Sequence, residues 1–139
     1  MIRPYEPGDT DALVDIWRAA TAVAHPFLTD AFVEREAHNM RRLYLRKAET
    51  WVFEHDGEPA GFIALLGNEI GGLFLAPALH RRGFGRRMVD HAARLHGPLE
   101  VEVFEKNAGA RAFYARYGFV ETGRTRHEET GETVLRLAI

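Results

Sequence analysis

Apolar positions along this chain switch between a spacing of two and a spacing of three to four, and each switch marks an element. Ile2 to Tyr5 reads as a short strand. After Asp9 and Thr10, either of which can cap a helix, Leu13, Ile16, Trp17 and Ala20 recur on one helical face. His25-Pro26-Phe27 breaks that helix, because proline cannot continue it. Thr29 caps a second helix with Val33, Ala37, Met40 and Tyr44 as its stripe. Runs from Thr50 to His55 and from Pro59 to Leu66 flank Asp56-Gly57, a strong hairpin signal. Gly67-Asn68 turns into a third strand, Glu69 to Ala76. The helix after Gly83 carries Met88, Ala92 and Leu95 and stops at Gly97-Pro98. Leu99, Val101 and Val103 alternate with Glu100, Glu102 and Phe104 in a half-buried strand. Ala110 to Tyr117 is a short helix closed by Gly118. Phe119 to Arg126 and Thr133 to Ala138 form a last hairpin around Thr130-Gly131.

The order is therefore β-α-α-β-β-β-α-β-α-β-β. Two hairpins demand a mostly antiparallel arrangement, and the β-α-β unit around Gly83 demands one crossover. The expected fold is α/β: a single mixed, mostly antiparallel sheet with helices on both faces, one domain over residues 1–139. With 46% hydrophobic and 27% charged residues, the chain has the balance of a soluble globular domain. It shows no bilayer-spanning run and no signal-peptide plan, so a membrane role is not expected. It has no cysteine, which excludes a thiol nucleophile and fits a cytoplasmic location. A net charge of −2 argues against nucleic acid as a partner. The histidines are scattered, and His91 and His96 lack the i, i+4 spacing of a metal pair, so no metal is expected.

One segment concentrates chemistry. Leu73-Phe74-Leu75-Ala76 is strand-like and ends at Pro77. Arg81, Arg82, Gly83, Phe84, Gly85 and Arg86 then lead straight into a helix. Glycines at a helix start let backbone N–H groups approach an anion, and arginines add charge-assisted contacts. This is chemistry for a pyrophosphate. Neither a third glycine nor Gly-Lys-Ser/Thr follows, so it is neither a dinucleotide fingerprint nor a P-loop.

A second segment runs Glu102-Val103-Phe104-Glu105-Lys106-Asn107, then a helix with Phe113-Tyr114 and then Gly118-Phe119. Together the two segments resemble the paired signatures of the GNAT (GCN5-related) N-acetyltransferases. His25-Pro26-Phe27, Trp51 to Glu54 with Asp56-Gly57, and Leu73 to Pro77 are similar to the small bacterial YiaC/YjaB-type members. At one position the chain departs from the family pattern: His80 stands three residues before the first glycine, where the family carries Arg or Gln. Backbone donors with Arg81, Arg82 or Arg86 would then hold the phosphates.

The resemblance implies that acetyl-CoA lies between two splayed strands, here Leu73–Ala76 and Leu99–Phe104. It pairs with Leu73, Phe74 and Leu75, and a backbone N–H of Leu73 or Phe74 polarises the thioester carbonyl. It also implies that an amine attacks directly and that Tyr114 protonates the departing thiolate. Asn107 would bond the CoA chain, cap the last helix, or both, with Ala110 beside it. Glu102, His25 and Glu100 are the candidates to take the amine's proton. Trp17 and Phe27 are further candidates to line the acceptor pocket. Tyr117 reads as a packing residue. The acceptor is expected to be a primary amine, on a protein lysine or N-terminus or on a small molecule, with a non-catalytic acetyl-CoA-binding sensor as the alternative, and the chain a monomer or homodimer.

Overall fold

Asp56 and Gly57 both adopt left-handed φ, 54° and 80°, as a type I′ turn demands, and join β2 (Glu49–His55) to β3 (Glu58–Leu66). The computed structural model describes residues 1–139. β1 (Ile2–Pro4) leads through a short 3₁₀ turn into α1 (Thr10–Ala24). α2 (Asp30–Asn39), a π turn (Met40–Tyr44) and α3 (Leu45–Lys47) follow. After the hairpin come β4 (Glu69–Leu75), α4 (Phe84–His96), β5 (Glu100–Phe104), α5 (Ala108–Tyr117), β6 (Val120–Arg126) and β7 (Thr133–Ala138). The seven strands form one sheet in the order β1-β2-β3-β4-β5-β7-β6. Every neighbouring pair is antiparallel except β4 and β5.

Each face has its own core. Leu13, Val14, Ile16 and Trp17 of α1 pack with Ala37, Met40 and Leu45 against Val52 and Phe62. On the opposite face Met88, Val89 and Ala92 of α4 and Tyr114 of α5 pack on Ile63, Leu65, Val101, Val103 and Leu135. Burying a side chain of this size contributes about 1.5–3 kcal/mol relative to leaving it exposed.

Three local expectations are corrected. The Asp9 side chain does not cap α1; both carboxylate oxygens accept from Arg3 at 2.8 Å, and one also accepts from the Glu6 amide. The π turn inserts one residue into the stripe of α2, so Leu45, at 2% exposure, takes the inward place expected for Tyr44, which is 44% exposed. Leu95 is 49% exposed, because only Met88, Val89 and Ala92 of α4 are buried. No helix is long and apolar enough to cross a membrane.

Candidate active site

β4 and β5 pair only at Glu69–Glu100 and Ile70–Val101. The cause of their parting lies in β4. Gly72 faces Ala64 and Ile70 faces Leu65 across the β3 ladder, which leaves Gly71 as an unpaired bulge. The bulge resets the pleat, so Ile70 and Leu73, three apart, face the same core while Phe74 turns to the other. It also bends β4 away from β5. Beyond Ile70 the two strands form an open wedge.

Backbone geometry decides which amides face that wedge. Ala76 donates its N–H to the Ala60 carbonyl at 2.8 Å. Bonded residues alternate along an antiparallel ladder, so the Phe74 amide also points into β3. Leu73 and Leu75 point the other way, towards β5. Of the two amides expected to meet a thioester carbonyl, Leu73 is therefore free and Phe74 is not. The Leu75 carbonyl on that side accepts from His80 Nε2 at 2.9 Å. His80 is thus folded back on β4, away from the loop that follows.

That loop opens α4. Arg81 and Gly83 both have left-handed φ, 65° and 82°. The first backbone bond of the helix runs from Arg87 N to Gly83 O at 3.2 Å. The amides of Phe84, Gly85 and Arg86 therefore emerge unpaired at the positive end of the helix, a ready anion cradle. The arginines are propped on aromatic rings: Arg82 lies 5.2 Å from the Phe84 centroid and Arg86 5.1 Å from that of Tyr117. Tyr117 donates to Asp90 at 2.6 Å and its pKa is pushed up to about 12, by burial first and then by that carboxylate. It ties α5 to α4, the packing role its position suggests.

Tyr114 is 4% exposed, with Phe113 and Phe119 edge-on at 5.1 and 5.0 Å. Burial alone raises its pKa above the ordinary phenol value, so the hydroxyl keeps its proton. On the opposite face, at the end of β5, the rings of His25, Phe27 and Phe104 meet at 5.1–5.6 Å, with His127 at 5.7 Å from Phe104. Asn107 caps α5 by accepting from the Ala110 amide at 3.1 Å and reaches His25 Nε2 at 3.0 Å. Ala110 thus contributes its amide to the cap. Nearby, Glu36 is pushed above the usual carboxylate range by burial and then by Glu129.

Glu102 lies one residue beyond the last β4–β5 pair, and its carboxylate has a partner. Arg136 donates to it at 3.2 Å and lies 3.5 Å from Glu100 and 3.4 Å from Glu69, forming a solvent-facing ladder of charges. Trp17 is 8% exposed within the core of the α1 face. No group of three or more His, Asp or Glu side chains is placed to hold a metal ion. Sequence reasoning missed Gly71, Arg136 and His127. The Gly71-Gly72 pair inside a strand was the available signal for the bulge.

The comparisons with known proteins agree with this geometry. The family model described as Acetyltransferase (GNAT) domain matches residues 46–121. The peptidyl-lysine N-acetyltransferase YiaC of Escherichia coli is 32% identical over 120 residues, covering 86% of this chain and 82% of its own. The peptidyl-lysine N-acetyltransferase YjaB of Salmonella typhimurium is 33% identical over 132 residues, covering 94% and 90%. Among solved structures, apo YjaB from Escherichia coli superposes with a TM-score of 0.89 at 30% identity, covering 99% of this chain and 95% of that one. The PaiA N-acetyltransferase of Thermoplasma acidophilum, solved with coenzyme A, shares the fold with a TM-score of 0.81 at 17% identity, covering 98% and 96%. A splayed β4–β5 wedge beside an uncapped helix start, with these matches along its length, places the chain in the GNAT family, and it is an acetyl-CoA-dependent N-acetyltransferase.

Proposed function

We propose that the acceptor is the ε-amine of a lysine within a polypeptide and that transfer occurs across the β4–β5 wedge. The observation that carries the site is the unpaired edge of β4 running directly to the unpaired amides at the start of α4. The acceptor class is supported by two relatives named for peptidyl-lysine, each aligned with more than four-fifths of this chain.

In this reading the amides of Phe84, Gly85 and Arg86, with Arg81, Arg82 and Arg86 side chains around them, hold the pyrophosphate. The pantetheine arm runs along Leu73 to Leu75. The Leu73 N–H donates to the thioester oxygen and strengthens its hold as negative charge develops there. The neutral amine attacks the carbonyl carbon, the C–S bond breaks, and the sulfur leaves as a thiolate. Tyr114 donates to that sulfur. A phenol raised by burial is a poor acid against an aqueous thiolate, but the same dry surroundings raise the thiol as well, so the match is retained. No acyl-enzyme forms.

The amine carries its proton at neutral pH, its pKa being about 10.4 in water. In this reading Glu102, paired with Arg136, does not take this proton; the proton passes to bulk water before attack, and the one that the nitrogen sheds on acylation restores the Tyr114 phenol.

The test compares lysyl peptides with free diamines and polyamines at one acetyl-CoA concentration. The expected result is a kcat/KM at least about tenfold higher for peptides, equivalent to roughly 1.4 kcal/mol of transition-state binding. Inert peptides beside one efficient small amine would overturn the acceptor class and leave the N-acetyltransferase assignment standing.

A further inference from the structure

His25 and Asn107 are 82 residues apart in sequence and 3.0 Å apart in space. The chemistry of that contact is forced by the other end of the same amide. The Ala110 backbone N–H can only donate, so the atom it meets at 3.1 Å is the Asn107 oxygen. The atom facing His25 is therefore the Asn107 nitrogen, which also can only donate. His25 Nε2 must accept, so it carries no proton, and the ring proton sits on Nδ1. Burial acts in the same direction by lowering the His25 pKa.

His25 Nδ1 has no partner in the chain, yet it is not among the buried, unsatisfied atoms. Its N–H is therefore reachable. The ring stands against the aromatic wall of Phe27 and Phe104 at the end of β5, on the sheet face opposite Tyr114. The charged and titratable groups around that wall are few. Lys106 lies over Phe27 and is paired with Glu132, and His127 lies beyond Phe104. None of them removes the Nδ1 proton.

We infer that Asn107 is a positioning residue that locks His25 as a hydrogen-bond donor, and that His25 uses Nδ1–H to hold a carbonyl oxygen of the acceptor rather than to take the amine's proton. The inference rests on the proposed polypeptide acceptor, whose backbone carbonyls supply such an oxygen. It makes His25 part of acceptor recognition: the aromatic wall takes the apolar stem of the lysine, and the imidazole holds a peptide carbonyl.

Two readouts test it on the full chain. The first is nitrogen NMR of imidazole-labelled protein at neutral pH without ligand. The expected signature is the Nδ1–H tautomer in the wild type. In Asn107→Asp the carboxylate still caps α5 but accepts from the ring, so the tautomer reverses to Nε2–H. An Nε2–H tautomer or an imidazolium in the wild type overturns the inference whatever the activity. The second readout is kinetic. His25→Phe keeps an aromatic ring and should raise KM for a lysyl peptide amide about tenfold, the effect of one lost neutral hydrogen bond in a partly dry site, with kcat little changed. A diamine without a carbonyl should be unaffected, and His25→Gln should recover part of the loss. A collapse of kcat at constant KM, or an equal loss for peptide and diamine, overturns it. If the wild type acetylates no lysyl peptide, the proposed function fails at the assay. A peptide that then also leaves the Nδ1 resonance unmoved removes this inference with it.

Discussion

The two halves of the sheet are built differently. From β1 to β4 both faces are covered, by α1 on one side and α4 on the other, and Val52 and Ile63 are fully buried. From β5 to β6 one face carries α5, while the other shows Glu100, Glu102 and Arg136 to solvent. Only two ladder pairs, both between β4 and β5, join the strands of these halves. In the proposed function the first half is a scaffold and the seam is the workplace. A thioester needs unpaired backbone donors, and a continuous ladder would have consumed them.

Truncations on either side of that boundary break the comparison most sharply. Ile63→Ala and Ile70→Ala both empty buried sites and should each cost about 2–5 kcal/mol in stability. Only Ile70→Ala, at the last β4–β5 pair, should also raise KM for acetyl-CoA. Equal effects on KM would erase the distinction between scaffold and seam. Denaturant midpoints measured beside initial rates decide it.

Tyr114→Phe removes one atom beneath the seam. Turnover should fall about a hundredfold, within the usual range for a positioned proton donor, with acetyl-CoA affinity nearly unchanged. Full turnover in the folded variant would leave the residue with packing alone.

Acid should loosen the protein in a defined window. Burial holds His25 and His91 below the ordinary value of 6.5. The unfolded chain then binds protons that the folded chain refuses, so stability is intact above about pH 6.5 and falls as pH drops below it. The carboxylates held low by partners, such as Asp9 and Glu49, act only at lower pH still. Urea midpoints at pH 7.5 and 5.5 should differ in that direction, and His91→Phe should flatten the slope.

The smallest effect belongs to the exposed ladder. Glu102→Gln should leave kcat/KM within about threefold, because in the proposed reading this carboxylate does not touch the reacting atoms, and losing a pair this exposed costs only about 0–1 kcal/mol of stability. A loss of a hundredfold would return Glu102 to the reaction.

Local chemistry made much of this legible from sequence. Asp56-Gly57 announced its turn, the Gly83 and Gly85 positions announced the start of α4, and the element order, apart from the short α3, follows from periodicity together with turn residues. What stayed hidden depended on register. Glu102 looks like an available carboxylate until β7 brings Arg136 opposite it, 34 residues later. Phe74 and Leu73 look equivalent until the β3 ladder claims one amide. The π turn that exchanges Tyr44 for Leu45 has no marker in the apolar spacing, and the His25–Asn107 contact requires the folded chain.

The most direct test of the wedge is amide hydrogen exchange with and without acetyl-CoA. The account predicts new protection at Leu73 and Leu75 and at Phe84, Gly85 and Arg86, with Phe74 and the β2–β3 ladder unchanged because they are already bonded. Protection confined to other segments, or none at a saturating concentration, would contradict it.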